Sequence, residues 1–186
     1  MEVRPLKFAN VWEVVPQTFK DNRGEFTEGF VQHKLSKATG VDFEVAQMNI
    51  STSVRGTVRG IHFAQVPPGQ AKYVQCTAGA IMDFIVDLRL GSPTFGQWDS
   101  VQLESSLHNA VHIPSGFGHA FQALSESATV VYLCDSPYAP NVELGINPLD
   151  STIGLQFPLD SHVLSPKDLG APQLSELDQA LLPKFD

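Results

Sequence analysis

From Val45 to about Leu149 the chain is cut into apolar or alternating segments of five to nine residues, each bounded by Gly, Pro, Ser, Asp or Asn. In order they read VAQMNIS, VRGIHFA, AKYVQCTA, IMDFIVDLR, SVQLE, NAVHIP, HAFQALS, ATVVYLC and a weaker LGINPL. Many short strands with regular turn signals specify an all-β sandwich, jelly roll or barrel. Helical signals are few. FVQHKLSKATG reads as a short helix closed by Gly40, and SELDQALLP as a last turn or two stopped by Pro183. The expectation is a single antiparallel β-domain over residues 1–186 with small helical additions, a length sufficient for one sizeable core.

Charge narrows the function classes. Twelve basic against twenty acidic residues give a formal charge of −8, which argues against a nucleic-acid or anionic-membrane surface, since either needs a dominant basic patch. No apolar run approaches the roughly 20 residues that cross a bilayer, and the N-terminal residues lack the apolar stretch of a secretory signal. Cys76 and Cys134 sit far apart in apolar segments and read as reduced core thiols, which points to a cytoplasmic protein. Against this acidic background, Arg55, Arg59, His62 and Lys72 fall within eighteen residues. A locally positive pocket for a small anion is compatible with that clustering.

Side chains alternate faces along a strand. Lys72 therefore shares a face with Val74 and Cys76, Asp83 with Ile81 and Ile85, His119 with Phe121 and Ala123, and Tyr132 with Val130 and Cys134. A closed sheet can turn Lys72, Asp83, His119 and Tyr132 into one lumen. Strict alternation separates Arg59 from His62, so both line one pocket only if a bulge intervenes, and Gly60 is the place for it.

Each candidate has a functional and a structural reading. His62 is the side chain best suited to take a proton near neutral pH, or is a hydrogen-bonded structural histidine. Lys72 and Asp83 are catalytic charges, or a lumen ion pair holding the barrel. Tyr132 reads as core packing or as a lumen phenol. Tyr138, in SPYAP, is a loop aromatic able to stack on a ligand ring. Arg23, in the turn DNRGEF, is solvated or clamps a phosphate. Neither a P-loop nor a dinucleotide-binding glycine pattern occurs, so side chains would have to hold any phosphate. PSGFGHAF resembles the second motif of cupins. The first motif wants His-x-His, whereas here His62 is followed by Phe63 and Ala64, so the usual metal-ligand set is incomplete.

Taken together, QMNIS, RGIHFAQ, QAKYVQCTAGAIMDFIVDLRLGSPTFGQW, IPSGFGHAFQALS, YLCDSPYAP and ELGINPLD resemble, in order and spacing, the RmlC family of dTDP-4-dehydrorhamnose 3,5-epimerases and their antibiotic-sugar relatives. The resemblance runs from about DNRGEF to LSPKDLGAP. It implies a cupin-type antiparallel jelly roll, a homodimer with exchanged N-terminal strands, no metal or organic cofactor, and a dTDP-4-keto-6-deoxyhexose substrate. Carried over by motif, it implies His62 as general base with Asp168 as its dyad partner, Lys72 as the cation beside the C4 oxygen, and Tyr132 as the opposing acid. It also implies that Arg23, Glu28, Gln47, Asn49, Arg59, His119, Tyr138, Glu143 and Lys167 contact the nucleotide-sugar, with Arg23 reaching in from the partner chain. Met48, between Gln47 and Asn49, should face away. The rival readings are inversion of one centre only, a sugar 3,4-ketoisomerase, and a non-catalytic cupin binding module.

Overall fold

A computed structural model describes residues 1–185 of the chain. Its strands are β1 (Glu2–Pro5), β2 (Trp12–Val15), β3 (Thr18–Asp21), β4 (Gly24–Thr27), β5 (Gln47–Val54), β6 (Val58–Ala64), β7 (Lys72–Ala78), β8 (Ala80–Asp87), β9 (Trp98–Glu104), β10 (Ala110–Ile113), β11 (Phe117–Ala123), β12 (Ser127–Cys134) and β13 (Glu143–Gly145). Two antiparallel sheets face each other, in the orders β1-β2-β10-β7-β12-β5 and β13-β6-β11-β8-β9, while β3 and β4 form a separate hairpin. The all-β jelly-roll expectation holds.

The alternation of the segments produces three apolar layers. Between the sheets lie Val74, Cys76, Ile81, Ile85, Phe121 and Val130, all buried. These are the faces assigned from strand parity. The opposite side of the second sheet presents Ile61, Phe63, Phe84 and Val86, which the C-terminal segment covers with Ile153, Leu174 and Leu182. On the outside of the first sheet, Val14, Tyr73 and Ala110 are covered by Leu35 and Phe43. Removing such side chains from water contributes roughly 1.5–3 kcal/mol each.

Helix α1 (Gln32–Thr39) ends where Gly40 enters the left-handed region at φ 75°, its N–H donating to the Ser36 carbonyl. The C-terminal expectation of a last turn or two holds, in the form of two single 3₁₀ turns, Leu174–Glu176 and Gln179–Leu181. β1 and β2 carry no strong alternation of their own. A further single turn, α2 (Pro166–Leu169), is begun by Ser165, whose hydroxyl accepts from the Asp168 N–H at 3.0 Å, with Pro166 in the first helical position.

One backbone irregularity positions the site. In the β6–β11 ladder His62 lies opposite His119 and Arg59 opposite Phe121. Two residues of β6, Gly60 and Ile61, thus face the single Ala120, which is the bulge expected at Gly60. It restores Arg59 and His62 to one side of the sheet. Gly60 adopts φ +115°, and a Cβ built there would fall 2.4 Å from the His119 carbonyl oxygen and 2.7 Å from Ala120 Cα. Both obstacles are backbone and cannot swing away. Gly60→Ala is therefore expected to destabilise the fold by about 3 kcal/mol, from the forced backbone and the collision together. Urea unfolding checks this, and a loss under about 1 kcal/mol would remove the bulge from the account.

Candidate active site

The open end of the β-sandwich holds a chamber of about 460 Å³ lined by side chains of both sheets. From the first sheet come Gln47 and Asn49 on β5, Lys72 on β7 and Tyr132 on β12. The second sheet supplies His62 on β6 and Glu143 on β13, and α2 contributes Lys167. Behind it a recess of about 140 Å³ is lined by Ser51, Arg59 and His119 among others. His62, Lys72 and Tyr132 line both spaces.

Register explains the grouping. In the β12–β5 ladder Tyr132 faces Asn49 and Cys134 faces Gln47, while in the β12–β7 ladder Cys134 faces Lys72. One face of the first sheet therefore aims Gln47, Asn49, Tyr132 and Lys72 inward, and Met48 points out at 58% exposure, as expected. Across the lumen, His62 receives its partner from outside the sheet. The segment after β13 returns along β6 through the Val58 N–H to Val163 carbonyl bond of 3.0 Å, and α2 then delivers buried Asp168. The Asp168 Oδ1 to His62 Nε2 distance is 2.7 Å. Burial pushes the Asp168 carboxyl upward, but the hydrogen bond and charge of His62 outweigh it and hold the group below its ordinary value. Asp168 engages Nε2, so Nδ1 is the ring nitrogen left for the chamber.

Lys72 is buried, at 8% exposure, and its ammonium has no hydrogen bond or ion pair among the described residues. Burial lowers its pKa, with Cys134, Glu143 and Asp135 opposing from a distance. The alternative in which Lys72 pairs with Asp83 is corrected. Asp83, fully buried, takes His119 Nε2 at 2.7 Å, because the β11–β8 register sets His119 beside Ile85 and Phe121 opposite Asp83. The lumen thus keeps one ammonium uncompensated at close range, a costly arrangement with no structural benefit. Burial also raises the pKa of the Tyr132 phenol, which keeps it protonated near neutral pH.

The remaining candidates divide. Gln47 donates to Asn49 Oδ1 at 2.8 Å and accepts from the Tyr138 N–H at 2.7 Å, which fixes the loop carrying the half-exposed Tyr138 ring at the chamber mouth. The Arg59 Nε–H donates to Ser53 Oγ at 3.1 Å. Arg23 and Glu28 are not brought to this chamber within the chain. Arg23 sits at the tip of the β3–β4 hairpin bound to Asp21 at 2.6 Å, and Glu28 is paired with Lys34. The sequence reading omitted Phe63, Gln70, Leu144 and Ser51, of which Ser51 was reachable by parity, two residues beyond Asn49 on the same face. Among the described residues no group of three or more His, Cys, Asp or Glu side chains is placed to hold a metal ion, and no helix is long and apolar enough to cross a membrane.

Comparison with known proteins gives this geometry a family. The family model described as dTDP-4-dehydrorhamnose 3,5-epimerase matches residues 5–176. The chain belongs to this epimerase family. A dTDP-4-dehydrorhamnose 3,5-epimerase of Mycolicibacterium smegmatis is 46% identical, with 97% of this chain and 89% of that protein covered. A dTDP-4-dehydrorhamnose 3-epimerase of Streptomyces niveus is 45% identical, with 100% and 90% covered. Among solved structures, NovW, a 4-keto-6-deoxy sugar epimerase from the novobiocin cluster of Streptomyces spheroides, superposes with a TM-score of 0.96 at 45% identity, covering 100% of this chain and 94% of that one. The jelly roll of this family member therefore extends the cupin resemblance seen in its motifs to the whole fold.

Proposed function

We propose that this epimerase-family chain inverts C3, C5 or both in a dTDP-4-keto-6-deoxyhexose during deoxysugar biosynthesis. One observation carries the reading: the two facing sheets supply an imidazole and a phenol to the same chamber, and an unpaired ammonium lines it with them. A proton on the carbon beside a ketone is lost only when the electrons it leaves can settle on oxygen. In the proposed step His62 Nδ1 takes that proton, and the C–H electron pair moves into the C4–O group as an enolate. Lys72, fixed and poorly solvated, stabilises the new negative charge where it forms. Tyr132 then donates its phenolic proton to the carbon from the opposite face, so the centre is inverted. Exchange with water restores neutral His62 and the phenol. Asp168 orients the imidazole and stabilises its protonated form. Gln47, Asn49, Arg59, His119, Tyr138, Glu143 and Lys167 surround the space left for the nucleotide-sugar.

The test is incubation with dTDP-4-keto-6-deoxyglucose in deuterium oxide, with NMR of the product. Deuterium should enter at inverted carbons only. Substrate recovered without deuterium would reduce the chain to a binding module. The same spectrum counts the centres, a point on which the relatives divide, since similar proteins carry both one-centre and two-centre names.

A homodimer completes the proposal. β5 is the edge of its sheet, and its outward side exposes Met48, Ile50 and Val54 at 58–63%. Phe19 and Phe26 are exposed on the β3–β4 hairpin beside Arg23. An uncovered apolar edge strand invites pairing, and a second copy would cover it while bringing the Arg23 guanidinium toward a neighbouring chamber. A sedimentation mass of one chain at micromolar concentration would remove this part. Two buried free thiols, Cys76 and Cys134, support a reducing, cytoplasmic setting.

A further inference from the structure

The lumen face of β5 is a polar ladder of Gln47, Asn49, Ser51 and Ser53. Three of its rungs are occupied within the protein. Gln47 and Asn49 bond to each other, Gln47 also holds the Tyr138 N–H, and Ser53 accepts from Arg59. Ser51 differs: its Oγ is buried and has no hydrogen-bond partner. A hydroxyl withdrawn from water without a partner is destabilising, and alanine would carry no such cost at this position. The orphan also has an address. Ser51 lines the inner recess, where Arg59, His119 and Phe121 form the walls and where His62, Lys72 and Tyr132 are shared with the larger chamber. Anything held between His62 and Tyr132 reaches the recess with the part of its ring that lies beyond the reacting carbons.

We infer that the Ser51 hydroxyl is a specificity-determining contact that hydrogen-bonds a ring hydroxyl of the keto-sugar. The inference rests on the epimerase reading for the identity of the ring, and on the unpartnered Oγ for the contact itself. A hydroxyl both donates and accepts, so one Ser–hydroxyl pair satisfies either geometry of a sugar OH. The contact is assigned to the hexose because Ser51 shares its recess with His62, Lys72 and Tyr132, the groups set at the reacting carbons in the epimerase reading. It would hold the ring in register while the neighbouring centre changes hand.

The experiment compares wild type, Ser51→Ala and Ser51→Thr. Affinity is measured for dTDP and for dTDP-glucose, a stable conjugate with the same attachment, and kcat/KM for dTDP-4-keto-6-deoxyglucose. Ser51→Ala should leave dTDP affinity within two-fold, weaken dTDP-glucose binding, and lower kcat/KM by roughly 10- to 100-fold. Ser51→Thr keeps the hydroxyl and should recover most of both losses. Equal weakening of dTDP and dTDP-glucose, or no effect of Ser51→Ala on either sugar readout, would overturn the assignment and make Ser51 a packing residue. If wild type takes up no deuterium from solvent, the epimerase reading fails, while the ratio of dTDP-glucose to dTDP affinity still decides the contact.

Discussion

Replacing His62 with alanine is expected to abolish solvent deuterium uptake into the keto-sugar while leaving dTDP affinity within a few-fold. Loss of a positioned base typically lowers rate by roughly 10²–10⁴-fold. Two features put His62 at the upper end of that range. Its Nε2 is held 2.7 Å from a buried carboxylate, so both the tautomer and the ring plane are set before substrate arrives. The other lumen histidine, His119, lines only the inner recess, whereas His62 lines both the recess and the larger chamber. Asp168→Asn separates orientation from basicity. It keeps a hydrogen-bonding side chain on α2 but removes the charge, so the rate should fall by less than in His62→Ala, with KM little changed. His62→Asn controls for the space left by alanine. Residual exchange within about ten-fold of wild type in both His62 variants would refute the base assignment, since a purely structural histidine at a chamber wall could be replaced at that cost.

The sequence reading succeeded where side-chain direction followed from local rules. Counting alternate residues turns Lys72, Asp83, His119 and Tyr132 to one interior, and the registers of β7, β8, β11 and β12 agree. Even the exception was legible: Arg59 and His62 have the wrong parity for one pocket, Gly60 stands between them, and the bulge is there. Reading failed where position depends on contacts distant in the chain. Asp83 was offered to Lys72, although the β11–β8 register hands it to His119, a choice that no spacing within either segment encodes. Asp168 is legible only through a motif resemblance, although the turn that aims it, opened by Ser165 and Pro166, carries an ordinary capping signal. β1 and β2 are short, β1 mostly exposed and β2 mostly half-exposed, so their strand character comes from pairing, β1 with β2 and β2 with β10, and not from their own pattern. Arg23 marks a different limit. Its own chain binds it to Asp21 on an exposed hairpin, and a role at the chamber requires a surface that a single chain does not contain.

Lys72→Met should produce opposite signs in two measurements. Methionine keeps the length and apolar stem of lysine but removes the ammonium. If the charge serves only the barrel, its loss should destabilise the fold. Nothing in the lumen supports that: Lys72 is 8% exposed, has no ion pair among the described residues, and its pKa is driven down chiefly by burial. A buried, unpaired cation is a cost to the folded state, and an apolar replacement of similar volume is commonly neutral or stabilising. Urea unfolding of Lys72→Met near neutral pH should therefore match or exceed wild type. Turnover should move the other way. Without a positive charge at the C4 oxygen the enolate forms in a poorly solvated space with nothing to receive it, and loss of one such stabilising group lowers kcat by roughly 10²–10³-fold. The same burial sets the alkaline limb of the wild-type rate profile. The enolate partner must be protonated, and its pKa is displaced downward, so activity should fall at a pH below the 10.5 of an ordinary lysine. Lys72→Met, with no ammonium to lose, should lack that limb. A destabilised variant that retains exchange would reverse the assignment, making the ammonium a strut of the barrel and leaving the enolate to another group.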